Sequence, residues 1–149
     1  MPQPENSCRL LVVDDHDDTR ELLARLLARC SYEVTTARCF ETAMARAAEA
    51  TPHVVISDIG LPGRDGMELM RELTQRCQGV RGIAISGHPL DDGMLREAGF
   101  VAHLLKPIQF EELLAMINHT CARCAATATS GDDAPTDRAD RADPLSPLS

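Results

Sequence analysis

Tryptophan is absent from the 149-residue chain, tyrosine occurs once and phenylalanine three times, so aromatic residues amount to 3%. With 44% apolar residues the chain can still bury a core, but that core must be aliphatic, made of Leu, Val, Ile, Ala and Met. Long apolar runs are lacking too. None reaches the roughly 18 residues that a membrane span needs. The stretch from Met1 to Ser7 is polar and lacks the positive-then-apolar pattern of a secretion signal. Basic residues are in the minority: 15 Lys and Arg stand against 23 Asp and Glu, a formal net charge of −8. That balance argues against nucleic-acid binding, which needs clustered cations to neutralise phosphates, and against a basic membrane-surface patch. The expectation is a cytoplasmic protein, monomeric or weakly dimeric, with no nucleic-acid or membrane contact.

Six cysteines, Cys8, Cys30, Cys39, Cys77, Cys121 and Cys124, are scattered along the chain without a secretion signal. They are expected to be reduced thiols, several buried as small hydrophobes. Cys121 and Cys124 form a C-x-x-C pair. A zinc site would want a second pair or histidines at ligand spacing, and only His119 lies near. A thioredoxin-like motif would follow a strand at a helix start, whereas this pair falls where a helix is expected to end.

Between a loose leader at 1–7 and a segment at 123–149 rich in Ala, Asp, Pro and Ser, apolar runs and helical patterns alternate. The terminal segment has too little apolar bulk to offset its ordering entropy and is expected to be disordered. Residues 8–122 form the expected domain. Leu10–Val13, Glu33–Ala37, Val54–Ile56, Gly82–Ile85 and Val101–Leu105 read as strands. Leu22, Leu23, Leu26 and Leu27 mark a first helix over Thr19–Cys30, with Asp17 or Asp18 as N-cap. Phe40, Ala43, Met44 and Ala47 line a second; Met67, Met70 and Leu73 mark a third, and these Met residues and Phe40 are expected in the core. A weak helix spans Asp91–Ala98, and Phe110, Leu113, Leu114 and Ile117 face inward from a last one. Five βα units imply an α/β fold: a five-stranded parallel sheet covered on both faces, doubly wound, flavodoxin-like, in the order 2-1-3-4-5.

In such sheets ligands bind beyond the carboxyl ends of the strands, near the switch point. Strand one ends in Asp14 and Asp15, strand three in Asp58, strand four in Ser86 and strand five in Lys106. Strands one and three are neighbours across the switch point, so three carboxylates converge. Clustered carboxylates repel one another unless a cation joins them, and hard oxygen ligands suit Mg²⁺, with Mn²⁺ as an alternative. An ammonium from Lys106 completes a cradle for a phosphoryl group, whose transfer needs positioning and charge neutralisation.

Asp14-Asp15, Asp58-Ile-Gly-Leu-Pro-Gly-Arg-Asp-Gly66, Ile85-Ser86-Gly87 and Lys106-Pro107 together resemble the receiver domains of two-component response regulators, over about Cys8 to Cys121. The resemblance implies that Asp58 accepts a phosphoryl group from a sensor histidine kinase or phosphotransfer protein. It implies that Asp15, Asp58 and the Gly60 carbonyl bind Mg²⁺ directly and Asp14 through water. Lys106 would pair with a phosphoryl oxygen, Ser86 would move to bond the phosphate, and the bond before Pro107 would be cis. A downstream protein target would then read the face made by the fourth helix, fifth strand and fifth helix. The domain would be a signalling module, not an enzyme acting on a separate substrate, though it would promote its own phosphorylation and dephosphorylation.

The pattern departs at His103, where receivers carry Tyr or Phe as a rotating switch; an imidazole there titrates near neutral pH. Gly60 and His88 occupy the two positions that tune dephosphorylation in the family. The competing reading is a receiver-like interaction module that works without phosphorylation; the complete acidic set with Lys106 argues against it. A haloacid-dehalogenase-type phosphatase would need a second Asp where Gly60 stands. After Ile117 no helix-turn-helix output unit is expected, which leaves a stand-alone relay or the receiver part of a hybrid kinase, with Met1 and the tail favouring the former.

Overall fold

The computed structural model describes the backbone of residues 8–129 and the side chains of residues 8–121; the expected leader at 1–7 and the segment from 130 onward lie outside them. Ten elements alternate: β1 (Arg9–Val13), α1 (Asp17–Arg29), β2 (Glu33–Ala37), α2 (Phe40–Glu49), β3 (Val54–Asp58), α3 (Gly66–Arg76), β4 (Arg81–Ser86), α4 (Asp92–Ala98), β5 (Phe100–Leu105) and α5 (Phe110–Thr129). The strands form one parallel sheet in the order β2-β1-β3-β4-β5, as the alternation implied. Among the described residues no helix is long and apolar enough to cross a membrane.

Period-two alternation divides the strands between two cores. Leu11, Val13, Val55 and Ala84 face one cluster, with Phe40, Met67, Met70, Leu73 and Leu95 from α2, α3 and α4. Leu10, Val12, Val54, Ile56, Ile83 and Ile85 face the other, with Leu23 and Leu27 from α1 and Leu113 and Ile117 from α5. Met70, expected in the core, is fully enclosed, and Met67 and Phe40 are buried. The central strands are apolar on both sides, while the edge strand β5 exposes alternate residues, Val101 and Leu105 among them.

The starts of α3 and α4 follow capping chemistry. Asp65 caps α3 by accepting from Glu68 N at 3.0 Å, and Asp91 caps α4 by accepting from Gly93 N at 3.2 Å. The expected cap of α1 at Asp17 or Asp18 is wrong: both lie in the first turn, and His16 is the N-cap without a side-chain cap bond. Asp17 is engaged by Arg20 instead, at 2.6 Å. α5 also runs on to Thr129, past the C-x-x-C pair where a helix end was expected. Half of its residues from 122 to 129 are alanine, which favours helix.

The expectation of six reduced thiols is corrected as well. Cys8, before β1, and Cys121, on α5, form a disulfide across 113 residues of sequence. Reading the C-x-x-C pair for local spacing could not find it, because only the packing of α5 over the sheet brings the two together. Cys77 is a buried thiol, pushed up in pKa by that burial.

Candidate functional site

Every strand end named from the sequence faces the same edge of the sheet. β1 is followed by Asp14, 2% exposed, and by the exposed Asp15. Its neighbour β3 ends in Asp58, 4% exposed. The register places Val13 beside Ser57, so Asp14 and Asp58 emerge side by side. Ligand atoms of Asp14, Asp15, Asp58 and His16 all lie within 4.8 Å of one another. These hard oxygens from two adjacent strands fit a divalent cation, and no described cation other than Lys106 is bonded to Asp58 to offset their repulsion.

Lys106, the sole lysine of the chain, approaches from β5. Its backbone N donates to Ser86 O at 2.8 Å, and the following Lys106–Pro107 bond is cis. From there Nζ donates to Asp58 Oδ2 at 3.0 Å. The other oxygen, Oδ1, accepts from Gly60 N at 3.1 Å. Asp58 is thus held at both oxygens while its carboxylate still faces the acidic cluster.

Ser86 ends β4 opposite Leu105. Its hydroxyl donates to the His88 carbonyl and lies 2.8 Å from His103 Nε2. With its one proton on the carbonyl, Ser86 Oγ must accept from His103, so Nε2 carries a proton. Among the described residues Ser86 has no hydrogen bond to Asp58. Burial lowers the pKa of His103; nearby Asp92 opposes this and His88 adds to it. Gly60 leaves the mouth open, since a Cβ there would meet nothing closer than Asp58 Oδ1 at 4.0 Å.

Three contributors were missed by sequence reasoning. A Cβ on Gly66 would lie 2.5 Å from Asp58 O, so only glycine lets α3 start this close to the acceptor strand; its place at the end of the quoted motif was the available signal. Arg20 donates from Nη1 to Asp14 O at 2.9 Å, fixing the β1–α1 turn. His16 donates its backbone N to Asp14 Oδ1 at 2.8 Å and brings its ring to the cluster.

A parallel (βα)₅ domain with acidic oxygens and an ammonium at its switch point defines a class of signalling module. Residues 10–118 match the family described as response regulator receiver domain, and the chain belongs to that family. It is 33% identical over 130 residues to the transcriptional regulatory protein PrrA of Mycobacterium leprae, covering 86% of this chain and 56% of the relative. It is 32% identical over 108 residues to the DNA-binding transcriptional regulator NtrC of Salmonella typhimurium, covering 71% of this chain and 23% of that protein. The chain therefore spans about half the length, or less, of the curated relatives it matches. Among solved structures, a CheY-like receiver domain protein from Methanospirillum hungatei superposes with a TM-score of 0.77 at 24% identity, over 81% of this chain and 98% of that one. A two-component response regulator of the LuxR family from Aurantimonas gives 0.70 at 29% identity, over 78% and 86%. The domain is thus a receiver domain of two-component response regulators.

Proposed function

We propose that Asp58 is the phosphoacceptor of this receiver domain, and that residues 8–122 act as the signalling unit with 123–149 as a tail. The observation that carries the reading is the placement of Asp58 between Lys106 Nζ at 3.0 Å and the Asp14–Asp15 carboxylates. An oxygen of Asp58 attacks the phosphorus of a phosphohistidine on a sensor kinase or phosphotransfer protein. The new O–P bond forms as the P–N bond breaks, and the electron pair returns to the donor's imidazole, which takes up a proton. Lys106 neutralises one phosphoryl oxygen. Mg²⁺, or Mn²⁺, would be held by Asp15, Asp58 and the Gly60 carbonyl, with Asp14 through water, and would supply further charge neutralisation.

The extra negative charge draws Ser86 away from His88 and His103, and the change at β4 and β5 reaches the α4–β5–α5 face. Met94, Val101 and Leu105 are 49%, 41% and 47% exposed there, apolar surface suited to a downstream protein. Gly60 admits water to the phosphoryl group, so Gly60 and His88 set the rate at which the domain dephosphorylates itself. The chain's net charge of −8 favours proteins over nucleic acid as its partners, and a histidine-kinase donor fits a cytoplasmic setting.

The test is incubation with acetyl phosphate and Mg²⁺ followed by intact-mass spectrometry. A single phosphoryl adduct is expected, lost in Asp58→Asn and on addition of EDTA. No adduct with any small donor or phosphohistidine protein would instead favour an interaction module that works without phosphorylation.

A further inference from the structure

We infer that His16 supplies a nitrogen ligand when the acidic site takes a first-row transition-metal ion, Mn²⁺ through Ni²⁺, in place of Mg²⁺. The inference rests on reading Asp14, Asp15 and Asp58 as the divalent-cation site, and it changes the ligand set from oxygen alone to carboxylate plus imidazole.

Three observations converge. First, His16 Nδ1 lies 3.2 Å from Asp14 Oδ1 and 3.5 Å from Asp15 Oδ1, and within 4.8 Å of a ligand oxygen of Asp58. Donor atoms around a six-coordinate ion with bonds of roughly 2.1 Å stand about 3 Å apart when adjacent and about 4 Å when opposite. The imidazole nitrogen is therefore already at ligand spacing. Second, the backbone of His16 is fixed while its ring is not otherwise engaged. Its N donates to Asp14 Oδ1 at 2.8 Å, and its carbonyl accepts from Arg20 N at 3.0 Å as the helix begins. Its side chain makes no cap bond, and among the described residues the ring nitrogens meet only the two carboxylates. Third, the ring is 66% exposed at the mouth of a site whose carboxylates are more deeply set. In this structure Nδ1 faces Asp14 Oδ1 as a donor; when an ion binds, the proton passes to the solvent-facing Nε2 and the Nδ1 lone pair turns to the ion.

The chemistry then discriminates between ions. Mg²⁺ prefers oxygen and retains its waters, so a water would stand where the imidazole could. Along the series from Mn²⁺ to Ni²⁺, nitrogen ligation gains in strength. His16 should therefore raise affinity for the later ions selectively.

The test uses the full chain with the metals alone. With Mn²⁺, pulsed electron paramagnetic resonance should show ¹⁴N modulation from a coordinated imidazole in the wild type, lost in His16→Ala and in His16→Gln. Equilibrium titration should show Ni²⁺ affinity falling about tenfold in His16→Ala while Mg²⁺ affinity changes less than about twofold. The ring is exposed and uncapped, so its removal leaves no cavity, and circular dichroism of both variants checks the fold. If Mn²⁺ binds in an Asp58-dependent way with no ¹⁴N signal, or with a signal that survives both His16 variants, the inference is overturned and the acidic-site reading stands. If Mn²⁺ binds equally to the wild type and to Asp58→Asn, both fail.

Discussion

The residue that departs most from the receiver pattern makes the most specific contact near the site. His103 pairs with Ala84 across β4 and β5, and Ser86 lies two residues farther along the same face of β4. The imidazole thereby reaches Ser86 Oγ at 2.8 Å and holds it on the His88 side. The sequence named both residues, but their contact depends on strand register, which no local pattern states. A hydrogen bond of this kind is worth about 1 kcal/mol, or about fivefold in the balance between the two positions of the hydroxyl. His103→Ala should therefore raise the phosphorylated fraction at limiting acetyl phosphate severalfold, read by intact mass. An unchanged fraction would mean that Ser86 moves without resistance from the ring.

A second histidine acts on stability. His53 Nδ1 accepts from Arg9 N at 2.9 Å, a role open only to an unprotonated nitrogen. Burial and the Arg9 charge lower its pKa from the usual 6.5, with Glu33 opposing; His103 is lowered as well. The unfolded chain thus takes up protons more readily than the folded one. Stability is complete above about pH 6.5 and falls as pH drops through that value towards the folded-state pKa. The urea midpoint should decline between about pH 7.5 and about pH 5.5. The slope should be shallower in His53→Asn, which keeps an acceptor for Arg9 but cannot titrate. Parallel slopes would assign the effect to other groups.

At the scale of the element, the end of α1 shows how backbone geometry and residue type can disagree. Ser31 has φ +73°, in the left-handed region that favours glycine. It closes α1 by donating its N to Ala28 O at 3.0 Å, while Tyr32 N reaches Leu27 O at 3.3 Å, the paired bonds of a glycine-type helix stop. α4 ends with the expected residue, Gly99 at φ +119°. Ser31→Gly should stabilise the domain by about 1 kcal/mol, seen as a higher urea midpoint at unchanged slope. A lower midpoint would show that the Ser31 side chain compensates for its backbone. The central strands were legible because runs such as Leu10–Val13 and Val54–Ile56 are apolar on both faces, as a covered parallel sheet needs. Helix ends were less legible. Asp17 has the right chemistry for a cap, yet Arg20 competes for it, and the alanines after Cys121 continue α5 without any apolar stripe to announce it.

Across the whole molecule, chemistry and mechanical closure occupy opposite ends of the sheet. Asp14, Asp58, Ser86 and Lys106 gather where the strands end, whereas Cys8 precedes β1 and joins Cys121 of α5. α5 already packs Leu113 and Ile117 into the core it shares with α1, and the link ties the helix, one turn beyond Ile117, to the start of β1. A closed loop of 113 residues restricts the unfolded chain and typically contributes about 2–4 kcal/mol. Reductant should lower the urea midpoint of the wild type accordingly and leave Cys121→Ser unchanged. Because the link lies at the end of β1 away from Asp58, the rate of adduct formation from acetyl phosphate should be the same with and without reductant. A rate that falls with the midpoint would mean that the clasp on α5 is felt at the acceptor strand, through the contacts of α5 with β3 and β4.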